Sequence, residues 1–185
     1  MKRHERLLDG QQAVLLIVDV QEAFRKKLPD VPNLTRNISI LVEASKVLEL
    51  PIFVTEQYPQ GLGKTVPEIA ACLPDHELFD KLCFSCCGAD KFMDALKATK
   101  RKQVILCGIE AHACINQTAH DLLAEGYEVH LIVDAISSRF PKNRDVAIEK
   151  MVDSGVVRSC VEMALLEMLV EAGTEKFKAV QRLIH

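Results

Sequence analysis

In the stretch Val104 to Cys114 the first half is an apolar, β-branched run of strand length, followed by Gly108, where the chain can turn. Cys114 precedes Ile115, Thr118, Ala119, Leu122 and Leu123, whose i, i+3, i+4, i+7, i+8 spacing marks a helix. The thiol therefore falls where a buried strand hands over to a helix. In parallel α/β sheets ligands collect beyond the carboxyl ends of strands, and a helix N-terminus favours a thiolate. Position makes this cysteine a candidate nucleophile, although a buried free thiol is by itself only a small hydrophobe. Two more residues of chemical interest stand at strand boundaries. Asp19 comes after six apolar residues in Ala13-Val14-Leu15-Leu16-Ile17-Val18-Asp19-Val20, and Lys81 lies near the start of the shorter run Leu78 to Ser85. A carboxylate accepts a thiol proton, an ammonium favours both anions, and a thiolate attacks a carbonyl carbon. The three are one catalytic set if the fold brings them together.

The elements that must position them alternate along the chain. After the Ala13–Val20 strand, a helix is expected from Asn33, as N-cap, to Leu50, with Leu34, Ile38, Leu41, Val42, Ser45 and Leu48 on one face. Pro51 ends it and a second strand follows, Ile52-Phe53-Val54-Thr55. Glu56 to Gly63 reads as a substrate-contacting loop. Further on come a helix over 89–99, the central strand, the Cys114 helix closed by Gly126, and a fifth strand, Tyr127 to Asp134, ending on its aspartate. A loop spans Ala135 to Pro141. Asn143 is expected to cap a helix carrying Val146, Ala147, Met151 and Val152, and a sixth strand, Val156 to Cys160, leads into two amphipathic helices. Such alternation implies a mainly parallel, doubly wound six-stranded sheet with helices on both faces. In that fold strands one and four are neighbours at the switch point, so Asp19 and Cys114 can meet.

Length and composition narrow the function. The 185 residues, 49% hydrophobic, suit one domain over 1–185. A net charge of −3 without a basic stripe gives no footprint for nucleic acid, and no apolar segment has the length to span a bilayer. Seven cysteines, an odd number, with no secretory h-region point to free thiols and a cytoplasmic protein, a mitochondrial association being compatible. Cys83-Phe84-Ser85-Cys86 has CxxC spacing, but no second ligand pair follows for zinc, and Cys83 is expected inside a strand, which does not suit a redox motif. Phosphate-cradling glycine motifs are absent. His112, two residues before Cys114, is not expected to form a dyad with it, because i and i+2 do not share a helix face.

Three ordered segments resemble the isochorismatase-like cysteine hydrolase superfamily: Leu16-Ile17-Val18-Asp19-Val20-Gln21, Lys81 with Phe84-Ser85, and Cys107 to Cys114. Within it the likeness is to isochorismatase domain-containing proteins, through Val54 to Pro59, Gly61 to Thr65 and Val133 to Arg139. The resemblance implies an Asp19, Lys81, Cys114 triad, Asp19 being proton acceptor and Cys114 nucleophile. It also implies a cis Ile109-Glu110 peptide and an oxyanion hole from the backbone N–H groups of Glu110 and Cys114. Phe24, Gln57 and Tyr58 become the substrate-binding residues. Nicotinamidases carry an Asp-x-His metal motif where this chain has Glu56-Gln57-Tyr58, so no metal and no cofactor are expected. True isochorismatases do not depend on a cysteine in the third motif, so Cys114 points to a small amide-like or other acyl substrate. A homo-oligomer, dimer or tetramer, is expected. The competing reading is a binding or assembly protein whose triad is vestigial.

Overall fold

A computed structural model describes residues 3–73 and 78–184. Six strands form one parallel sheet in the order β3-β2-β1-β4-β5-β6. They are β1 (Ala13–Val18), β2 (Ile52–Gln57), β3 (Leu78–Lys81), β4 (Gln103–Ile109), β5 (Glu128–Ser137) and β6 (Val157–Ser159). The chain works outward from β1 to one edge, then returns to β4 and works outward to the other. The switch point between β1 and β4 is where the expected fold class put it.

Both faces of the sheet are covered, so its central strands are apolar throughout. Ala13, Leu15 and Ile17 of β1 point into a core shared with α1 (Val31–Leu48), α7 (Val161–Leu169) and α8 (Glu175–Ile184). Val14, Leu16 and Val18 point the other way, toward α4 (Asp90–Ala98), α5 (Asn116–Ala124) and α6 (Pro141–Asp153). That division follows from the two-residue period of a strand. Two short helices, α2 (Pro59–Leu62) and α3 (Pro67–Ala70), fill the connection after β2. On the second face Phe53, Phe79 and Phe92 pack with ring centroids 5.8 to 5.9 Å apart and tilted or edge-on contacts, tying β2, β3 and α4 together.

Several boundaries differ from the sequence reading. Helix α1 is capped by Asp30, whose side chain accepts from the Asn33 N–H, and not by Asn33; Pro32 in the first turn needs no N–H partner there. Strand β5 does not end at Asp134 but continues to Ser137. Its register against β4 jumps between Leu106 and Gly108, so residues up to Ala135 bulge out, and Asp134 uses the bulge to accept from the Val161 N–H that opens α7. Phe140, not Asn143, occupies the N-cap of α6, with Pro141 in the first helical position. The buried face of that helix is Ala147, Ile148 and Met151, while Val146 is 63% exposed. Cys83 lies beyond β3, and Lys81 is the last residue of that strand, which is shorter than the apolar run suggests.

Candidate active site

Asp19 follows β1 directly with φ of 53°, a left-handed conformation that turns its side chain out of the strand's alternation. Its N–H donates to the Thr55 carbonyl (3.1 Å), and its carbonyl accepts from the Gln21 N–H (2.8 Å). The carboxylate is 2% exposed and meets Lys81, 4% exposed, through Oδ2 to Nζ at 2.6 Å. Lysines at strand ends commonly reach solvent. Lys81 instead lies on the same sheet side as Phe79, two residues earlier, and spends its other protons on the carbonyls of Cys83 (3.2 Å) and Phe84 (3.0 Å). Burial by itself would lower its pKa; Asp19, with Cys86 and Cys114, more than offsets that and holds the ammonium above the ordinary lysine range.

Cys114 sits in a π-turn, Ala111–Ile115, between β4 and α5. Such a turn inserts a residue into the helical ladder and is common at functional sites. The Glu110 carbonyl accepts from both Ala113 and Ile115 N–H groups, and the Ile109-Glu110 peptide is cis. Cys114 Sγ, nearly buried, donates to Gln57 Oε1 at 3.6 Å. Burial pushes the thiol well above the usual range, the Asp19 carboxylate beside it pushes the same way, and Lys81 pulls back. The helix terminus expected to lower this pKa is thus outweighed by desolvation.

Gly108 lets β1 and β4 approach closely enough for this assembly. With φ of 114°, a side chain there would place its Cβ 2.2 Å from the Val18 carbonyl oxygen. Gln21 clamps the loop after β2: its Nε2 donates to the carbonyls of Gln57 (3.0 Å) and Gly63 (2.7 Å), and its Oε1 accepts from the Gln57 N–H (2.9 Å). Tyr58 is half exposed, with its ring across Gly61 and its N–H on the Lys81 carbonyl (2.9 Å). Phe24 lies on a 3-10 turn, half-buried against the β1 and α1 core, with the Lys27 ammonium 6.0 Å from its centroid. Asp19, Lys81, Cys114 and Gln57 therefore meet at one sheet edge; Phe24 shares no hydrogen bond with them.

Side chains at the metal-motif position of nicotinamidases are otherwise engaged. Glu56 accepts from the N–H (2.6 Å) and hydroxyl (2.8 Å) of Thr65, and among the described residues no group of three or more His, Cys, Asp or Glu is placed to hold a metal. The Glu110 carboxylate accepts from the N–H and Nε of Arg139 (3.0 and 2.9 Å), joining the loop after β5 to the π-turn. His112 bonds Ser138 Oγ at 3.1 Å. Sequence reasoning missed Thr55 and Gln21 as parts of the site. No local pattern marks Thr55, a β-branched residue in a strand, whereas Gln21 stands in the first segment that carries the family resemblance.

A cavity of about 360 Å³ adjoins the site, lined by Tyr58, Pro59, Gln60, Asp80, Lys81 and Leu82. A second, about 260 Å³, lies between the π-turn and α6, lined by His112, Asn116, Asn143, Val146, Ala147 and Lys150. Exposed Val146 belongs to this wall.

Comparison with known proteins agrees with the topology. The isochorismatase domain family matches residues 13–163. A protein named secreted isochorismatase effector Isc1 from Phytophthora sojae is 40% identical over 187 residues, covering 99% of this chain and 89% of its own. Isochorismatase domain-containing protein 2 of Danio rerio is 41% identical over 179 residues, covering 96% and 89%. A solved structure described as MAR1 ribonuclease from Caenorhabditis elegans superposes with TM-score 0.92 at 38% identity, covering 96% and 92%. With one parallel sheet, its switch point at β1 and β4, and relatives alike along nearly their whole length, the chain belongs to the isochorismatase-like hydrolase family.

Proposed function

We propose that the protein is a cofactor-free cysteine hydrolase of a small amide-like or other acyl compound. One observation carries the reading: a buried Asp19–Lys81 pair, closed at 2.6 Å, lies beside the Cys114 thiol at the carboxyl edge of the sheet. Because burial keeps Cys114 protonated at rest, its proton passes to Asp19 as sulfur attacks the carbonyl carbon. The oxyanion is held by the backbone N–H groups of Glu110 and Cys114. Asp19 then returns the proton to the leaving amine, so an amide and the thiol become a thioester and free amine. Water hydrolyses the thioester to the acid, and sulfur recovers its proton. Lys81, paired with Asp19 at 2.6 Å, holds the carboxylate in place between these steps. Gln57 Oε1, now accepting from Cys114, would accept an N–H of the substrate, and Tyr58, in the wall of the adjoining cavity, would close its apolar side.

The raised Cys114 thiol favours a second reading, a binding or assembly protein with an idle triad. A screen of small amides on wild type beside Cys114→Ala separates the two. Turnover by wild type and none by a folded Cys114→Ala protein is expected. No turnover anywhere, with Cys114 inert to alkylation at neutral pH, would favour the second reading. The ribonuclease description belongs to the nematode protein, and a net charge of −3 without a basic stripe argues against a polyanionic substrate for this chain. Seven free thiols support a reducing compartment.

A further inference from the structure

We propose that Thr55 is a positioning residue for Asp19, its hydroxyl fixing which way the carboxylate faces the Cys114 thiol. The inference rests on the reading of Asp19 as proton acceptor. Thr55 is fully buried near the end of β2 and grips Asp19 twice: its carbonyl accepts the Asp19 N–H (3.1 Å), and its hydroxyl donates to Asp19 Oδ1 (2.7 Å).

The hydroxyl's proton has a forced direction. Cys86 Sγ donates to Thr55 Oγ1 at 3.7 Å, which occupies the oxygen as an acceptor, and an ionised carboxylate only accepts. The single Thr55 proton therefore goes to Asp19. Burial pushes the Cys86 thiol up to about 12, with Asp19 adding to it, so Cys86 remains a donor through the neutral range.

Lys81 alone does not fix the carboxylate. Its three protons are shared among Asp19 Oδ2 and the Cys83 and Phe84 carbonyls, which pins the ammonium. A carboxylate held only at Oδ2 still turns about its Cβ–Cγ bond. Thr55 removes that freedom by holding Oδ1, and its own position is fixed by β2, where Phe53 on the same side packs against Phe79 and Phe92. The groups around the Asp19 carboxylate are then Thr55 from β2, Lys81 from β3, Cys86 from the 3-10 turn Cys86–Gly88, and Cys114 from the π-turn. Losing the Thr55 hydroxyl leaves Oδ1 without this donor and frees the carboxylate to turn away from the thiol.

The test needs no substrate. The rate of Cys114 alkylation by iodoacetamide is measured from pH 5 to 9, resolved from the other cysteines by peptide mass spectrometry, for wild type, Thr55→Val, Thr55→Ser and Asp19→Asn. Thr55→Val keeps the branched shape without the hydroxyl. It is expected to lower the plateau rate roughly tenfold, because the acceptor is no longer held in orientation, and Thr55→Ser is expected to restore it. Should Thr55→Val not fold, Thr55→Ala carries the same readout. A wild-type profile in the hydroxyl-free variant, with Asp19→Asn strongly impaired, would overturn the role of Thr55 alone. Thr55→Ser as slow as Thr55→Val would overturn it too, since packing and not the hydroxyl would then matter. An unchanged profile in Asp19→Asn would remove the acceptor reading itself.

Discussion

At the scale of single residues, the Asp19–Lys81 pair sets function against stability. Both side chains are almost wholly buried, and removing one member of such a pair strands the other charge, at a cost of about 3–5 kcal/mol. Asp19→Ala and Lys81→Met are each expected to lower the denaturant midpoint markedly. The double variant Asp19→Asn/Lys81→Met should recover much of that stability yet hydrolyse nothing. A double variant no more stable than either single one would show that the charges do not depend on each other. The pair also has a defined pH window. Because the Lys81 pKa is raised in the fold, its contribution is complete below the unfolded lysine value of about 10.4 and is lost as pH rises through the higher folded value. Acid titration of Lys81 is therefore not a source of instability.

At the scale of elements, the site depends on the close approach of β1 and β4. Gly108→Ala puts a methyl carbon 2.2 Å from backbone that cannot yield, in a conformation that an L side chain rarely adopts. It is expected to cost several kcal/mol and to abolish alkylation of Cys114 selectively if any folded protein survives. Wild-type thermal stability in this variant would mean that the two strands are not held at that distance. Legibility in the sequence follows the same physics. The apolar run of β1, that of β4 up to Gly108, and the Cys114 junction after β4 were readable because strands buried on both faces read as near-continuous apolar runs. The end of β5 was not, because a bulge before Ala135 looks like termination when the pairing partner is unseen. Thr55 was hidden for another reason. A β-branched residue in a strand satisfies propensity by itself, so nothing in the local pattern announces that its hydroxyl holds the carboxylate at the end of β1. Val146 misled in the opposite sense, since its aliphatic side chain lines a cavity and not the core.

At the scale of the whole molecule, α7 packs Val161, Ala164, Leu165 and Met168 inward yet leaves Met163 and Leu166 exposed along its outer side, with Val170 exposed just past its end. Exposed apolar side chains at i and i+3 on a helix surface, continued by Val170 at its C-cap, are the kind of patch that a second copy covers. Light scattering is expected to give a mass above the 20.7 kDa of one chain, and Leu166→Lys is expected to shift it toward the monomer. A monomer for wild type at micromolar concentration would count against the oligomer. Among the described residues no helix is long and apolar enough to cross a membrane.

The covalent role of Cys114 is tested most directly by intact-mass and peptide mass spectrometry, rapidly quenched during turnover of whichever amide the screen selects. The account predicts an acyl adduct confined to the peptide bearing Cys114, decaying at the rate of product formation and absent from Cys114→Ala. Continued turnover by Cys114→Ala, with no adduct on the wild-type sulfur, would contradict it.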